Sequence, residues 1–158
     1  MTRYRMVLAL LFFGLFLSQA QAGPEFVKPV EKEKCPVCGM FVAKYPDWVA
    51  EAVFQDGGHA VFDGPKDLFK FVTHVGEYRH GGKLSDITAL FVHDYYTVRP
   101  IDGRTAFYVL GGDVTGPMGR ELIPFEREAD AREFLKDHGG KRILRSQEIT
   151  PAVLQELD

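Results

Sequence analysis

The chain has 158 residues, with 19 basic and 22 acidic side chains, a formal charge of −3 and 46% hydrophobic content. That length allows one ordinary domain or two very small ones. The basic residues are scattered and form no stripe, which excludes a nucleic-acid footprint and leaves no nucleic acid among the expected partners.

Arg3 and Arg5 precede the apolar run MVLALLFFGLFL, and Ala20-Gln21-Ala22 offers a small-residue site before Gly23. This pattern predicts a cleaved secretory signal peptide over residues 1–22 and a remaining chain of about 136 residues, periplasmic or secreted. The apolar run is short for a membrane span, and no later run is long enough for one, so no stable membrane insertion is expected after cleavage. No cysteine stands at the end of the run, so a lipoprotein is not expected. Residues 23–34, with Pro24 and Pro29 and a charged end, read as an extended lead-in.

Residues 35–103 then hold a first β-β-α-β pattern. WVAEAVF and HAVF are strands joined by the turn QDGG. GPKDLFKFVTHV is a helix, with Pro65 near its start and Leu68, Phe69, Val72 and Val75 at helical spacing. GEYRHGGKLSD is a loop, and the β-prone ITALFVHDYYTVRPID closes the unit.

The plan recurs over residues 104–158. TAFYVLG and ELIPF are strands around the glycine-rich turn GDVTGPMG. EREADAREFLKDHGG is a helix with an acidic start and Gly139 as stop. KRILRSQEI is a strand, and TPAVLQEL a short helix capped by Thr150, with Pro151 in its first turn. Phe62 precedes Asp67 and Phe71 by the offsets at which Phe125 precedes Asp130 and Phe134. The fold class is therefore α+β: two small β-β-α-β units in one compact protein, each too small to bury much alone.

The chemistry gathers in KCPVCGMF, which holds both cysteines. In an oxidising compartment thiol pairs tend toward disulfides, but a bridge closing so short a loop stabilises little. Beyond the leader only Met40 and Met118 remain, both in glycine-flanked segments. If the chain is extended at Cys38-Gly39-Met40, the Cys38 thiolate and the Met40 thioether share a face. Two thiolates and a thioether are soft donors, which select Cu(I) over hard cations. Zinc typically takes four ligands, and the second C-x-x-C of a zinc ribbon is missing. Of His59, His74, His80, His93 and His138, only His74 and His80 stand close in sequence, six positions apart, and no second C-x-x-C accompanies them. A redox dithiol is a further alternative, although no helix period follows Cys35 to lower its pKa. G-x-S-x-G and H-E-x-x-H are absent, and Asp63, Asp67, Asp113 and Asp130 read as turn, cap or solvated-face residues. The chain is not expected to be an enzyme.

CPVCGM, YVLGGDVTGPMGRELIPF and FLKDHGGKRILRSQEI together resemble the NosL family of copper-binding accessory proteins, associated with nitrous oxide reductase maturation. The resemblance covers nearly all of the chain beyond the leader. It implies two β-β-α-β units and a Cu(I) metallochaperone that takes copper from an envelope donor or transporter and hands it to an apo-cuproenzyme, nitrous oxide reductase by analogy. Carried over residue by residue, it places the metal ligands among Cys35, Cys38 and Met40, and a second thioether at Met118. It also implies that an imidazole could join, with His59 and His93 as candidates. Members are typically lipoproteins, and this sequence departs from them in its plain Ala20-Gln21-Ala22 site. The alternatives are a periplasmic thiol oxidoreductase acting on a client's metal-binding cysteines and a small structural zinc module.

Overall fold

The computed structural model describes residues 23–158; the predicted signal peptide lies outside them. Two antiparallel sheets carry the chain. The first unit runs β1 (Ala50–Phe54), β2 (His59–Phe62), α1 (Pro65–Thr73), α2 (Val75–Tyr78), β3 (Ile87–His93) and β4 (Pro100–Asp102). The second runs β5 (Phe107–Gly116), β6 (Gly119–Phe125), α3 (Glu128–Asp137), β7 (Gly140–Arg145) and α4 (Pro151–Gln155). Strand order is β2-β1-β3-β4 in one sheet and β6-β5-β7 in the other. The two ββαβ units read from the sequence are both present.

Local chemistry explains the element ends. Pro65 starts α1, where its missing N–H is not needed. The Thr150 hydroxyl accepts from Val153 N and caps α4. Gly139 follows α3 at φ +64°, a left-handed stop open to glycine.

Three expectations change. ITALFVHDYYTVRPID is not one strand. It breaks at Asp94, whose buried Oδ1 accepts from Tyr96 N, Thr97 N and the Thr97 hydroxyl, and only Pro100–Asp102 returns to pair with β3. The glycine-rich turn is shorter than expected, because β5 continues to Gly116 and the loop is Pro117-Met118 alone. Gly111 and Gly112, both at positive φ, bulge the strand where they were expected to end it. KRILRSQEI stops as a strand at Arg145 and continues as a 3₁₀ turn over Ser146–Glu148.

The second sheet joins the units by its two faces. Tyr108, Leu110, Leu122 and Leu144 enter one core with Phe62, Leu68, Phe69 and Phe71 of the first unit. Val109, Ile123 and Phe125 face the other way, onto Ala131 and Phe134 of α3. Alternation along β5 thus feeds two cores. Each fully buried phenylalanine contributes roughly 2–3 kcal/mol through area removed from water. Asp94 ties the units again: its Oδ2 accepts from Glu126 N, and Tyr95 N donates to Pro124 O.

Candidate metal centre

The thiol loop is framed by a bridge between Lys34 and Phe41. Inside it Cys35 N donates to Met40 O and Gly39 N to Cys35 O, both at 2.9 Å. These bonds close the loop on itself, and Gly39 takes φ +78° to allow it. The extended Cys38-Gly39-Met40 geometry expected from the sequence does not form, because this left-handed residue breaks the alternation that would have put Cys38 and Met40 on one face. What the turn supplies instead is amides. The N–H groups of Val37 and Cys38 are directed at the Cys35 sulfur, and that of Met40 at the Cys38 sulfur. Met40 itself is half-buried.

Against this loop lies the β2–α1 junction. Asp63 follows β2, and Asp67 sits in the first turn of α1; both are buried. The Cys35 thiol donates to Asp67 Oδ2 at 3.3 Å and the Cys38 thiol to Asp63 Oδ1 at 3.1 Å. One donor atom from each of the four residues falls within 4.8 Å of all the others. Cys35 is buried and Cys38 half-buried. Burial is the largest influence on both: it pushes the Cys35 thiol far up and the Cys38 thiol up to about 12, against the amides that favour thiolate. The carboxylates add to the rise.

Two consequences follow. The cysteines rest as thiols that donate hydrogen bonds to carboxylates, so they are poor nucleophiles; a redox dithiol needs the opposite shift. And Asp63 Oδ2 is buried with no hydrogen-bond partner among the described residues. A cation among these groups would replace two thiol protons and give that oxygen a partner. The donor set fits a metal ion.

Met118 lies at the tip of the β5–β6 hairpin, 44% exposed. Its carbonyl accepts from the Lys66 ammonium at 3.1 Å, and Lys66 precedes Asp67 on α1. The hairpin tip is therefore tied to the helical turn that carries one of the four donors. Glu121 of β6 reinforces the same turn: its Oε1 accepts from Lys66 N at 2.5 Å and from Leu122 N at 2.8 Å. Glycine at position 64 makes room for this approach, since a Cβ there would lie 2.2 Å from Glu121 Oε2 and the carboxylate would have to shift. Burial raises the Glu121 carboxyl to about 8, against the two amides and Lys66, which favour the charged form.

No histidine belongs to the thiol–carboxylate group among the described residues. His93 Nδ1 meets Val49 O at 2.7 Å, and its ring stands edge-on to Phe26. His59 sits between Glu33 and Glu51. Sequence reasoning set Asp63 and Asp67 aside as caps. The missed signal is in the repeat: Asp130, equivalent to Asp67, pairs with Arg127 three residues before it, whereas the position equivalent to Arg127 is Gly64. In the first unit that carboxylate has no such arginine and meets a thiol.

A family model described as NosL matches residues 27–154. The chain belongs to the NosL family. The copper-binding lipoprotein NosL of Stutzerimonas stutzeri is 31% identical, over 93% of this chain and 80% of its own length. Among solved structures, the copper chaperone NosL from Shewanella denitrificans is similar with a TM-score of 0.68 and 28% identity, over 83% of this chain and 98% of that one. Those names describe a binding protein and a chaperone, and neither names an enzyme. The Stutzerimonas name includes a lipid anchor, against the expectation of an unlipidated chain, and the residues on which that expectation turns lie outside those described. No helix among the described residues is long and apolar enough to cross a membrane.

Proposed function

We propose that this NosL family member is a periplasmic Cu(I) carrier that receives copper in the cell envelope and passes it to an apo-cuproenzyme, with nitrous oxide reductase as the client suggested by the family. The observation that carries this reading is the convergence of Cys35 and Cys38 on Asp63 and Asp67 in a buried pocket with one orphaned carboxylate oxygen. The names of the two relatives supply the metal. Soft thiolates favour Cu(I), and the thioethers of Met40 and Met118 would add donors that bind without losing a proton. In the empty site Asp63 and Asp67 accept hydrogen bonds from the two thiols, and the protons that copper displaces pass to solvent. Few soft ligands with an exposed methionine on one side suit stepwise transfer to a client's donors.

Zinc is the second reading, and one observation favours it. Two carboxylates complete a four-donor set with the thiols, the number a tetrahedral zinc site takes. Anaerobic titration against a competing Cu(I) chelator, repeated with zinc, separates the two. The carrier reading expects one Cu(I) per chain, held far more tightly than zinc, and weakened by at least about tenfold in Cys38→Ser, Met40→Ala and Met118→Ala. Zinc retained through purification and required for folding, with Cu(I) affinity unchanged in both methionine variants, would replace it with the structural reading.

A further inference from the structure

A second group of donors lies on the β1–β2 face beneath the lead-in. Register pairs Glu51 with Val61 and Val53 with His59, so Glu51 and His59 are diagonal neighbours on one face. Phe26 packs edge-on to Phe91, the residue opposite Glu51 on β3, and so lays the lead-in across this face. Val27 N donates to Glu51 Oε2 at 2.9 Å. The other oxygen, Oε1, is buried and has no hydrogen-bond partner among the described residues, on a side chain with 0% exposure. It faces His59 Nδ1 at 3.6 Å. The opposite ring nitrogen, Nε2, meets Glu33 Oε1 at 2.8 Å.

These distances define a polarity. In the tautomer that donates from Nε2 to Glu33, Nδ1 keeps a lone pair. That lone pair points at the free oxygen of a second carboxylate. The gap is too long for a direct hydrogen bond. It is the separation that two ligands about 2.1 Å from a common ion make at an angle near 120°. The arrangement of carboxylate, imidazole and then an open donor is the one that orients histidines on metal ions.

We propose that Glu51 and His59 form a second cation site, separate from the thiols, for a divalent ion of borderline hardness such as Zn²⁺ or Cu²⁺, with Glu33 holding the imidazole. The donors are one nitrogen and one carboxylate oxygen, without sulfur, so Cu(I) has no preference for it. Calcium and magnesium call for more oxygens and no imidazole. The His59 side chain is 27% exposed, so water can complete the coordination. Glu33 stands two residues before Cys35, and its carbonyl accepts from Val42 N at 3.1 Å. An ion here braces the segment that frames the thiol loop. The site is independent of the copper reading and stands if that reading fails.

The test uses the full chain with Cys35→Ser and Cys38→Ser, which removes the thiols. Zn²⁺ is titrated against a fluorescent chelator, and X-ray absorption reads the ligands. One equivalent should bind, with nitrogen and oxygen donors only and one imidazole. Adding Glu51→Gln or His59→Asn should weaken binding by about tenfold or more, and Glu33→Gln by less. Nitrogen NMR of His59, on a background retaining Glu51, should show zinc perturbing Nδ1 while Nε2 stays protonated. An absence of saturable binding up to millimolar zinc, with Nδ1 unperturbed, would mean that a proton alone occupies the gap. Binding unchanged by both added substitutions would place the ion elsewhere. Either result overturns the proposal.

Discussion

Copper affinity should rise steeply with pH, because each thiol must give up a proton to become a ligand. At pH 7 the Cys38 thiol lies about five units below the value of about 12 to which burial pushes it, and Cys35 is pushed further still. Both are therefore fully protonated across the accessible range, and binding one ion releases two protons. Each proton makes the binding free energy more favourable by about 1.4 kcal/mol per pH unit. With two, the conditional affinity climbs about a hundredfold per unit between pH 6 and 8. The assay is competition with a Cu(I) chelator at several pH values, corrected for the chelator's own protonation, with protons counted in weakly buffered solution. Cys38→Ser should halve the slope, to about tenfold per unit. A flat profile in the parent protein would refute the reasoning, since it would mean preformed thiolates or a site built without them. A slope of one in the parent, unchanged by Cys38→Ser, would exclude Cys38 as a ligand.

Gly39→Ala should destabilise the protein by about 1–2 kcal/mol in chemical denaturation, through backbone strain alone, because an added Cβ meets nothing within 4 Å of this residue at φ +78°. Glu121→Gln should flatten the pH dependence of stability. The folded carboxyl is raised from 4.5 to about 8, so the stability it lends at low pH is lost as pH rises through that window, and the variant should be more stable than the parent by a few kcal/mol at pH 9 in thermal or urea unfolding. Phe134→Ala should cost about 3–5 kcal/mol in urea unfolding, since Phe134 is fully buried in the small cluster under α3.

The repeat was legible because Phe62 and Phe125 end equivalent strands, and Phe71 and Phe134 lie in the helices that follow. Burial of a strand-end aromatic against the next helix leaves a fixed spacing in sequence. The thiol pair was legible for a similar reason: the C-x-x-C turn is local, and neighbours in sequence must be neighbours in space. Asp63 and Asp67 were not. A carboxylate after a strand or in a helix's first turn does the same local work whether or not a thiol faces it. The Cys35 and Asp67 donors are 32 residues apart, and only tertiary packing joins them. The face expected for Met40 was misread for a different reason. It depended on extended backbone, and the glycine taken as a spacer is the residue that turns the chain.

The second unit contributes no donor to the four-residue group, yet it shapes the site. Glu121 reaches from β6 to the first turn of α1, filling the space that Gly64 leaves, and Lys66 returns the contact to the hairpin tip at Met118 O. The two units are thus the same scaffold put to unequal uses. In one, Arg127 neutralises Asp130 locally; in the other, Gly64 leaves Asp67 free to face Cys35. That asymmetry sets the chemistry of exchange. Thiols held protonated by burial give up an ion more readily as pH falls, and carboxylates 3.1 and 3.3 Å away accept hydrogen bonds from the re-formed thiols. Trading an ion for two protons runs in either direction, which suits the carrier proposed above.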